Sequence, residues 1–328
     1  MVKVSFYKRK ITDFAGTGYE MERKGKITVT IITGFLGAGK TTFINSLLNA
    51  NRDKKFALVE NEFGDVSIDT KLIKGLDASQ MFELKKGCIC CTISDEYELV
   101  LQELVERFPN VSHLLIETTG VAEPSSVIRP FLNDQNLKKI YSYNGTICIV
   151  DAINYWSQPE KETSVKQIAA ADWVVINKTE NISINEIENL VDEVEQLNPF
   201  CSISKGGLNN LVPKNLLDRM SPQDRSGFDF TNIQNHLKLE AKTITCNHPI
   251  KKEEFTQWLS YNLDVFKNEI YRIKGILYFK DEAFEHILQG VGGSFEILES
   301  ERFVDVKTVS KIIFIGRLNN ANLSFNFT

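Results

Sequence analysis

Short β-branched or aliphatic runs alternate with longer amphipathic stretches along most of the chain, a pattern that predicts an α/β fold. From residue 27 onward, ITVTIIT (27–33), KFALVE (55–60), HLLIE (113–117), GTICIVD (145–151) and DWVVIN (172–177) read as buried strands. Between them, KTTFINSLLNA, SDEYELVLQELVERF, SVKQIAAA and INEIENLVDEVEQL read as helices. Such alternation implies a mostly parallel sheet flanked by helices, with ligands bound at the carboxyl ends of the strands.

The pattern changes after about residue 215. The stretch SPQDRSGFDFTNIQNH is polar and rich in turn formers, which predicts a linker over 221–238 between a first domain (27–220) and a second (239–328). Beyond it come EAKTITCN, the helical KKEEFTQWLSYNL, and then YRIKGILYF, FEHILQG, SFEILES and KIIFIGR as strands. Successive strands with little room for helices predict an antiparallel sheet, hence a smaller C-terminal α+β domain. Residues 1–26 read as a flexible basic extension.

Composition narrows the classes. The 328 residues are 42% hydrophobic and 25% charged, near globular averages, which argues against disorder and a membrane-embedded protein. A formal net charge of −5 argues against nucleic-acid binding, which needs clustered Lys and Arg. No signal-peptide core opens the chain, and no apolar run reaches spanning length, so a cytoplasmic location is expected. In that reducing compartment, clustered cysteines point to metal binding or reactivity rather than to disulfides.

Gly34-Phe35-Leu36-Gly37-Ala38-Gly39-Lys40-Thr41 fits G-x-x-x-x-G-K-[ST] between a predicted strand and a predicted helix. Gly34, Gly37, Ala38 and Gly39 would wrap backbone N–H groups around a phosphate chain at the positive end of the helix. Lys40 would neutralise the β- and γ-oxygens, and the Thr41 hydroxyl would ligate Mg²⁺. Thr42 follows in the first helical turn. Glu117-Thr118-Thr119-Gly120 ends the strand HLLIE; its carboxylate would hold Mg²⁺ through water, and Gly120 would bring its N–H to the γ-phosphate. His113, at that strand's start, reads as a surface or satisfied residue.

Asn177-Lys178-Thr179-Glu180 closes a later strand. A carboxylate at Glu180 accepts from both guanine N1–H and N2–H₂, Asn177 suits the N7 edge, and the Lys178 stem can cover the base. GTP is the expected nucleotide. After Gly120 the chain runs Val121-Ala122-Glu123, without a glutamine to orient water, which predicts slow hydrolysis that relies on Glu123, an acid of the 60–65 segment or an outside trigger.

Cys88, Cys90 and Cys91 place three of the six cysteines in one short run, KGCICCT. Thiolates suit Zn²⁺, Cu(I) and related ions, and three ligands leave a fourth position open for exchange. A redox pair and apolar packing are the alternatives, although a disulfide between neighbours would be strained. Glu60, Glu62 and Asp65 in ALVENEFGDVSID offer hard ligands on a second segment, Glu60 first because it ends a strand. Cys148, Cys201 and Cys246 sit in apolar or strand-like runs and read as core.

In that order, GFLGAGKTT, ENEFG, KGCICC, ETTG and NKTE resemble the CobW-type P-loop GTPases, metallochaperones related to the GTPases that insert nickel into urease and hydrogenase. The resemblance covers roughly residues 27–318. It implies a GTPase that binds a transition metal, most often zinc, through Cys88, Cys90 and Cys91. It also implies phosphate binding by Gly37, Gly39, Lys40 and Thr41, base reading by Asn177, Lys178 and Glu180, and delivery to a client metalloprotein. Glu180 stands where the family pattern has Asp. Only four scattered His occur, so bulk metal storage is not expected. A homo-oligomer is compatible with the sequence. Two rivals remain open: a nucleotide-controlled interaction module with a structural metal, and a P-loop small-molecule kinase.

Overall fold

The computed structural model describes residues 25–60, 101, 104–106, 108–206, 216–220, 239–304, 309–318, 321 and 323, with Glu60 and Arg219 described by their backbones alone. Residues 1–24, the expected linker 221–238 and the segment 61–100 with its thiol run lie outside these. Among the described residues, no helix is long and apolar enough to cross a membrane.

Six strands form one sheet in the order β2-β3-β1-β4-β5-β6: β1 (Ile27–Thr33), β2 (Phe56–Glu60), β3 (His113–Glu117), β4 (Tyr141–Asp151), β5 (Trp173–Asn177) and β6 (Ser202–Lys205). Every pairing is parallel. The strand order reverses at β1, which makes its carboxyl end a switch point where a crevice opens. Helices α1 (Lys40–Ala50), α2 (Pro124–Asn133), α3 (Gln135–Ile140), α4 (Lys161–Ala170), α5 (Ile184–Leu197) and α6 (Leu216–Arg219) belong to this half.

Strand alternation explains why the strands are apolar on both faces. Ile27, Val29 and Ile31 of β1 pack with Val127, Ile128 and Phe131 of α2. Ile32, the next residue and hence on the opposite face, packs with Phe43, Ile44 and Leu47 of α1. β1, β3, α1 and α5 have the predicted bounds, and α5 carries a capping box between Ser183 and Glu186. β4 begins four residues earlier than predicted: the register slips between Val29 and Thr30, so Thr30 faces Gly145 and Asn144 bulges out. Asn144 there donates to the Leu217 carbonyl at 2.9 Å. Helices α2 and α3 escaped the pattern because Pro130 lies inside α2 and reads as a breaker. The buried side of α2, together with Pro124 in its first turn, sustains the helix nonetheless.

The second sheet is antiparallel, in the order β10-β9-β8-β11-β7: β7 (Glu240–Cys246), β8 (Ile270–Leu277), β9 (Phe284–Val291), β10 (Ser294–Phe303) and β11 (Ser310–Gly316). Helix α7 (Lys252–Val265) buries Phe255, Leu259 and Leu263 against Ile312 and Phe314 of β11. Ile313 and Ile315, the intervening residues, pack with Cys148, Val150, Ile168 and Val174 of the first half. The antiparallel α+β unit expected for the C-terminal part is therefore present, and one face of it packs on the parallel sheet.

A buried charge cluster ties the halves together. Asp172 pairs with Arg272 and lies 3.4 Å from Lys274, all three side chains being nearly inaccessible. The other Asp172 oxygen accepts from the Thr146 N–H at 2.9 Å, and Arg272 also donates to the Ala170 carbonyl at 2.8 Å. Removing the acid would strand two cations away from water. Asp172→Ala is therefore expected to lower stability in urea unfolding by about 3–5 kcal/mol; a loss under about 1 kcal/mol would contradict this role.

Candidate functional site

The chain leaving β1 turns through three glycines with positive φ, Gly34 (138°), Gly37 (74°) and Gly39 (101°). At Gly34 a Cβ would meet the Ile149 carbonyl oxygen at 2.2 Å, so only glycine lets the loop cross β4 there. Gly39 is the N-cap of α1, which has neither a side-chain cap nor an acid in its first turn. The helix thus presents uncapped N–H groups and the positive end of its dipole to the loop interior.

Side chains claim the loop's carbonyls from several directions. The Lys40 ammonium, on a side chain nearly buried, donates to the Gly34 carbonyl at 3.0 Å and to Phe35 at 3.4 Å. From the end of β5, Asn177 Nδ2 donates to the Ala38 carbonyl at 2.8 Å, and Lys178 Nζ to the Gly37 carbonyl at 2.8 Å. Lys178 adopts a left-handed conformation (φ 63°), held by a second contact of 2.7 Å to Asp151 Oδ2. Asp151 ends β4 beside Asn177 in register and also accepts from Ile153 N, Asn154 N and Asn154 Nδ2. Burial alone would raise the Asp151 carboxyl, but the hydrogen bonds from Lys178 and Asn154, with the Lys178 charge, hold it below the ordinary carboxylate value.

Thr41 Oγ1 lies 3.2 Å from Glu117 Oε1 and 3.5 Å from Oε2. One hydroxyl and one carboxylate, brought from the first turn of α1 and the end of β3, form an all-oxygen set suited to a hard cation such as Mg²⁺. The following loop lies against the phosphate loop, where a Cβ on Gly120 would meet Leu36 N at 2.4 Å. The Thr119 hydroxyl oxygen is shielded from solvent and has no partner among the described residues, a buried donor open to a phosphate oxygen. Gln167 of α4 fixes this loop by donating to the Gly120 and Ala122 carbonyls.

The sequence-predicted residues divide accordingly. Gly34, Gly37, Ala38, Gly39, Lys40, Thr41, Glu117, Gly120, Asn177 and Lys178 converge on the loop, while Thr42 and Glu180 are solvent-exposed beside it. Glu123 is engaged elsewhere: its carboxylate accepts from Ser125 at 3.0 Å and from Lys166 at 3.2 Å. Glu60 stands in register with Glu117 on the neighbouring strand. Cys88, Cys90, Cys91, Glu62 and Asp65 lie outside the described residues. Cys148 and Cys246 are buried free thiols and Cys201 a partly buried one, with burial raising the Cys148 and Cys201 pKa. His113 contacts Ser112 at 2.9 Å and leans on Phe56; burial, then Lys54, lowers its pKa to about 4. Sequence reading passed over Asp151, Thr119 and Gln167. Of these, Asp151 carried a signal, since it closes the run GTICIVD at a strand's carboxyl end.

A glycine loop between a central parallel strand and an uncapped helix, with an acid from the adjoining strand beside its Thr, defines a P-loop nucleotide-binding fold. The chain belongs to the CobW/HypB/UreG family: residues 28–205 match that family's nucleotide-binding domain, and residues 239–325 match the cobalamin synthesis protein cobW C-terminal domain. It is 31% identical over 303 residues to the zinc chaperone YjiA of Escherichia coli, covering 88% of this chain and 94% of that protein. It is 28% identical over 339 residues to zinc-regulated GTPase metalloprotein activator 1 of Schizosaccharomyces pombe, covering 89% and 82%. The crystal structure of Zn(II)-bound YjiA GTPase from E. coli superposes with a TM-score of 0.63 at 25% identity, over 89% of this chain and 94% of that one.

Two outcomes are expected. Gly34→Ala forces the loop off Ile149 and is expected to weaken guanine-nucleotide binding about tenfold or more, read by calorimetry on protein that keeps its far-UV spectrum. The Asp151 carboxyl, depressed in the fold, contributes stability above its unfolded pKa and loses it as pH falls through the folded value. The melting-temperature gap between wild type and Asp151→Asn should thus be flat above about pH 5 and close in stronger acid; a gap that instead closes on the alkaline side would refute the pairing.

Proposed function

We propose that this protein is a GTP-hydrolysing metallochaperone that takes up Zn²⁺ through Cys88, Cys90 and Cys91 and couples its metal affinity to the bound nucleotide. The observation that carries the nucleotide half is the Thr41–Glu117 contact at 3.2 Å beside a loop whose Ala38 and Gly37 carbonyls are claimed from outside by Asn177 and Lys178. The metal half is supported by the three-thiol run and by relatives named zinc chaperone and zinc-regulated GTPase metalloprotein activator.

On GTP binding, Lys40 leaves the Gly34 and Phe35 carbonyls, or shares them, to meet the β- and γ-phosphate oxygens. Thr41 and Glu117 would hold Mg²⁺, which supplies charge neutralisation on the phosphates when bound. Thr119 and the Gly120 N–H meet the γ-phosphate. Glu180 selects guanine by accepting from N1–H and N2–H₂, and Lys178, whose ammonium is tied to Asp151 and Gly37, offers its stem to the base. Because the Glu123 carboxylate is occupied by Ser125 and Lys166, water positioning falls to an acid of the 60–65 segment or to a partner, and intrinsic turnover is slow.

Coupling follows from adjacency. Glu60 and Glu117 end neighbouring strands in register, so β2 ends beside the proposed Mg²⁺ pair, just ahead in sequence of the segment that carries KGCICC. A γ-phosphate that draws on this strand end changes how the segment can close on zinc, and by linkage zinc changes nucleotide affinity by the same factor.

Zinc titrations of the protein loaded with a non-hydrolysable GTP analogue or with GDP, with bound metal counted by elemental analysis, test the reading. About five-fold or more between the two affinities is expected, and equal affinities would sink the coupling. Lys40→Ala should abolish GTP turnover yet leave zinc binding to nucleotide-free protein intact. Replacing Cys88, Cys90 and Cys91 by Ser should yield folded protein that no longer holds zinc in that loop.

A further inference from the structure

The second sheet assembles a set of side chains that the nucleotide site does not use. His286 of β9 and Glu299 of β10 are direct partners in the antiparallel ladder, so both side chains leave the same face next to each other. Glu282, in the turn before β9, brings Oε2 to 3.6 Å from His286 Nε2. One ligand atom from each of the three residues lies within 4.8 Å of the other two.

His286 is the informative member. Its side chain is 3% exposed, and Nδ1 sits 3.1 Å from the Phe284 carbonyl oxygen. A carbonyl only accepts, so Nδ1 carries the proton and Nε2 turns its lone pair toward the two carboxylates. No hydrogen-bond donor meets Nε2 among the described residues. An imidazole held through Nδ1–H by a backbone carbonyl, with its other nitrogen free, is the orientation a metal-ligating His requires. Phe279 fixes the ring plane from the side, with centroids 5.0 Å apart.

Two carboxylates facing a lone pair need a cation. Lys252, 2.8 Å from Glu282 Oε1, supplies one at the rim. We propose that Glu282, His286 and Glu299 form a second, exchangeable site for a divalent first-row transition ion, Zn²⁺ in the first instance, on the C-terminal sheet. One nitrogen and two oxygens with an open fourth position suit Zn²⁺ and bind it less tightly than three thiolates. Closing onto the ion draws the ligand atoms to about 3.3 Å apart, the edge of a tetrahedron with bonds near 2.0 Å. Glu282 and Glu299 have the exposure to make that adjustment. The ion displaces Lys252 from Glu282, so Lys252 acts as its built-in competitor.

The test uses the full chain with Cys88, Cys90 and Cys91 replaced by Ser, stripped of metal and nucleotide, so failure of the thiol-loop reading leaves the result interpretable. Titration with Co²⁺, followed by visible absorbance, is expected to show one equivalent bound without a thiolate charge-transfer band, and Zn²⁺ should displace it. Glu299→Gln at the exposed rim and His286→Gln should each weaken binding at least about tenfold, whereas Lys252→Met should tighten it. Absence of stoichiometric Co²⁺ binding, or binding indifferent to Glu299→Gln, overturns the proposal. The exposed Glu299 variant keeps the test decisive if the buried His286 variant fails to fold.

Discussion

The nucleotide end depends on where one short loop sends its carbonyl oxygens. From the end of β5, Asn177 and Lys178 claim the carbonyls of Ala38 and Gly37. A peptide's C=O and N–H point in opposite directions, so holding the carbonyls outward turns N–H groups into the cradle. That constraint reaches across the sheet. Asp151 fixes Lys178, Asn177 ends the strand beside Asp151, and Gly34 must remain without a Cβ to cross Ile149. Asn177 and Lys178, expected from the sequence to read a base, are therefore the clasp of the phosphate loop through two hydrogen bonds.

The C-terminal sheet is joined to this frame on chemically different terms. Ile313 and Ile315 contribute apolar area to a core shared with β4, β5 and α4, and non-directional burial of this kind tolerates small shifts. Asp172 with Arg272 and Lys274 does not, because a buried carboxylate between two cations is favourable only in a narrow geometry. Asp172 immediately precedes β5, whose other end carries Asn177 and Lys178. A single strand of five residues thus spans the distance between the inter-sheet charge cluster and the loop clasp.

Most of the elements were legible because helix and strand periods are written in neighbouring residues. ITVTIIT, HLLIE, KTTFINSLLNA and the capped INEIENLVDEVEQL emerge with the predicted bounds, and the phosphate loop announces itself through glycine spacing alone. The early start of β4 was not legible, since a bulge at Asn144 lets a polar residue interrupt the run while hydrogen bonding continues. Nor was α2, where burial of Val127, Ile128, Phe131 and Leu132 outweighs an internal Pro.

The sequence by itself determined the fold class, the phosphate loop, the NKTE strand end and the antiparallel second unit, since each is a pattern within a short window. Tertiary structure alone decided that Glu123 faces Lys166, that Asp151 holds Lys178, that Asp172 meets Arg272 and Lys274, and that His286 faces Glu299. Contacts such as Asn177 to Ala38, 139 residues apart, and Arg272 to Asp172, 100 apart, are set by strand order and register. Local periodicity carries the face a side chain occupies but not the strand that will lie beside it.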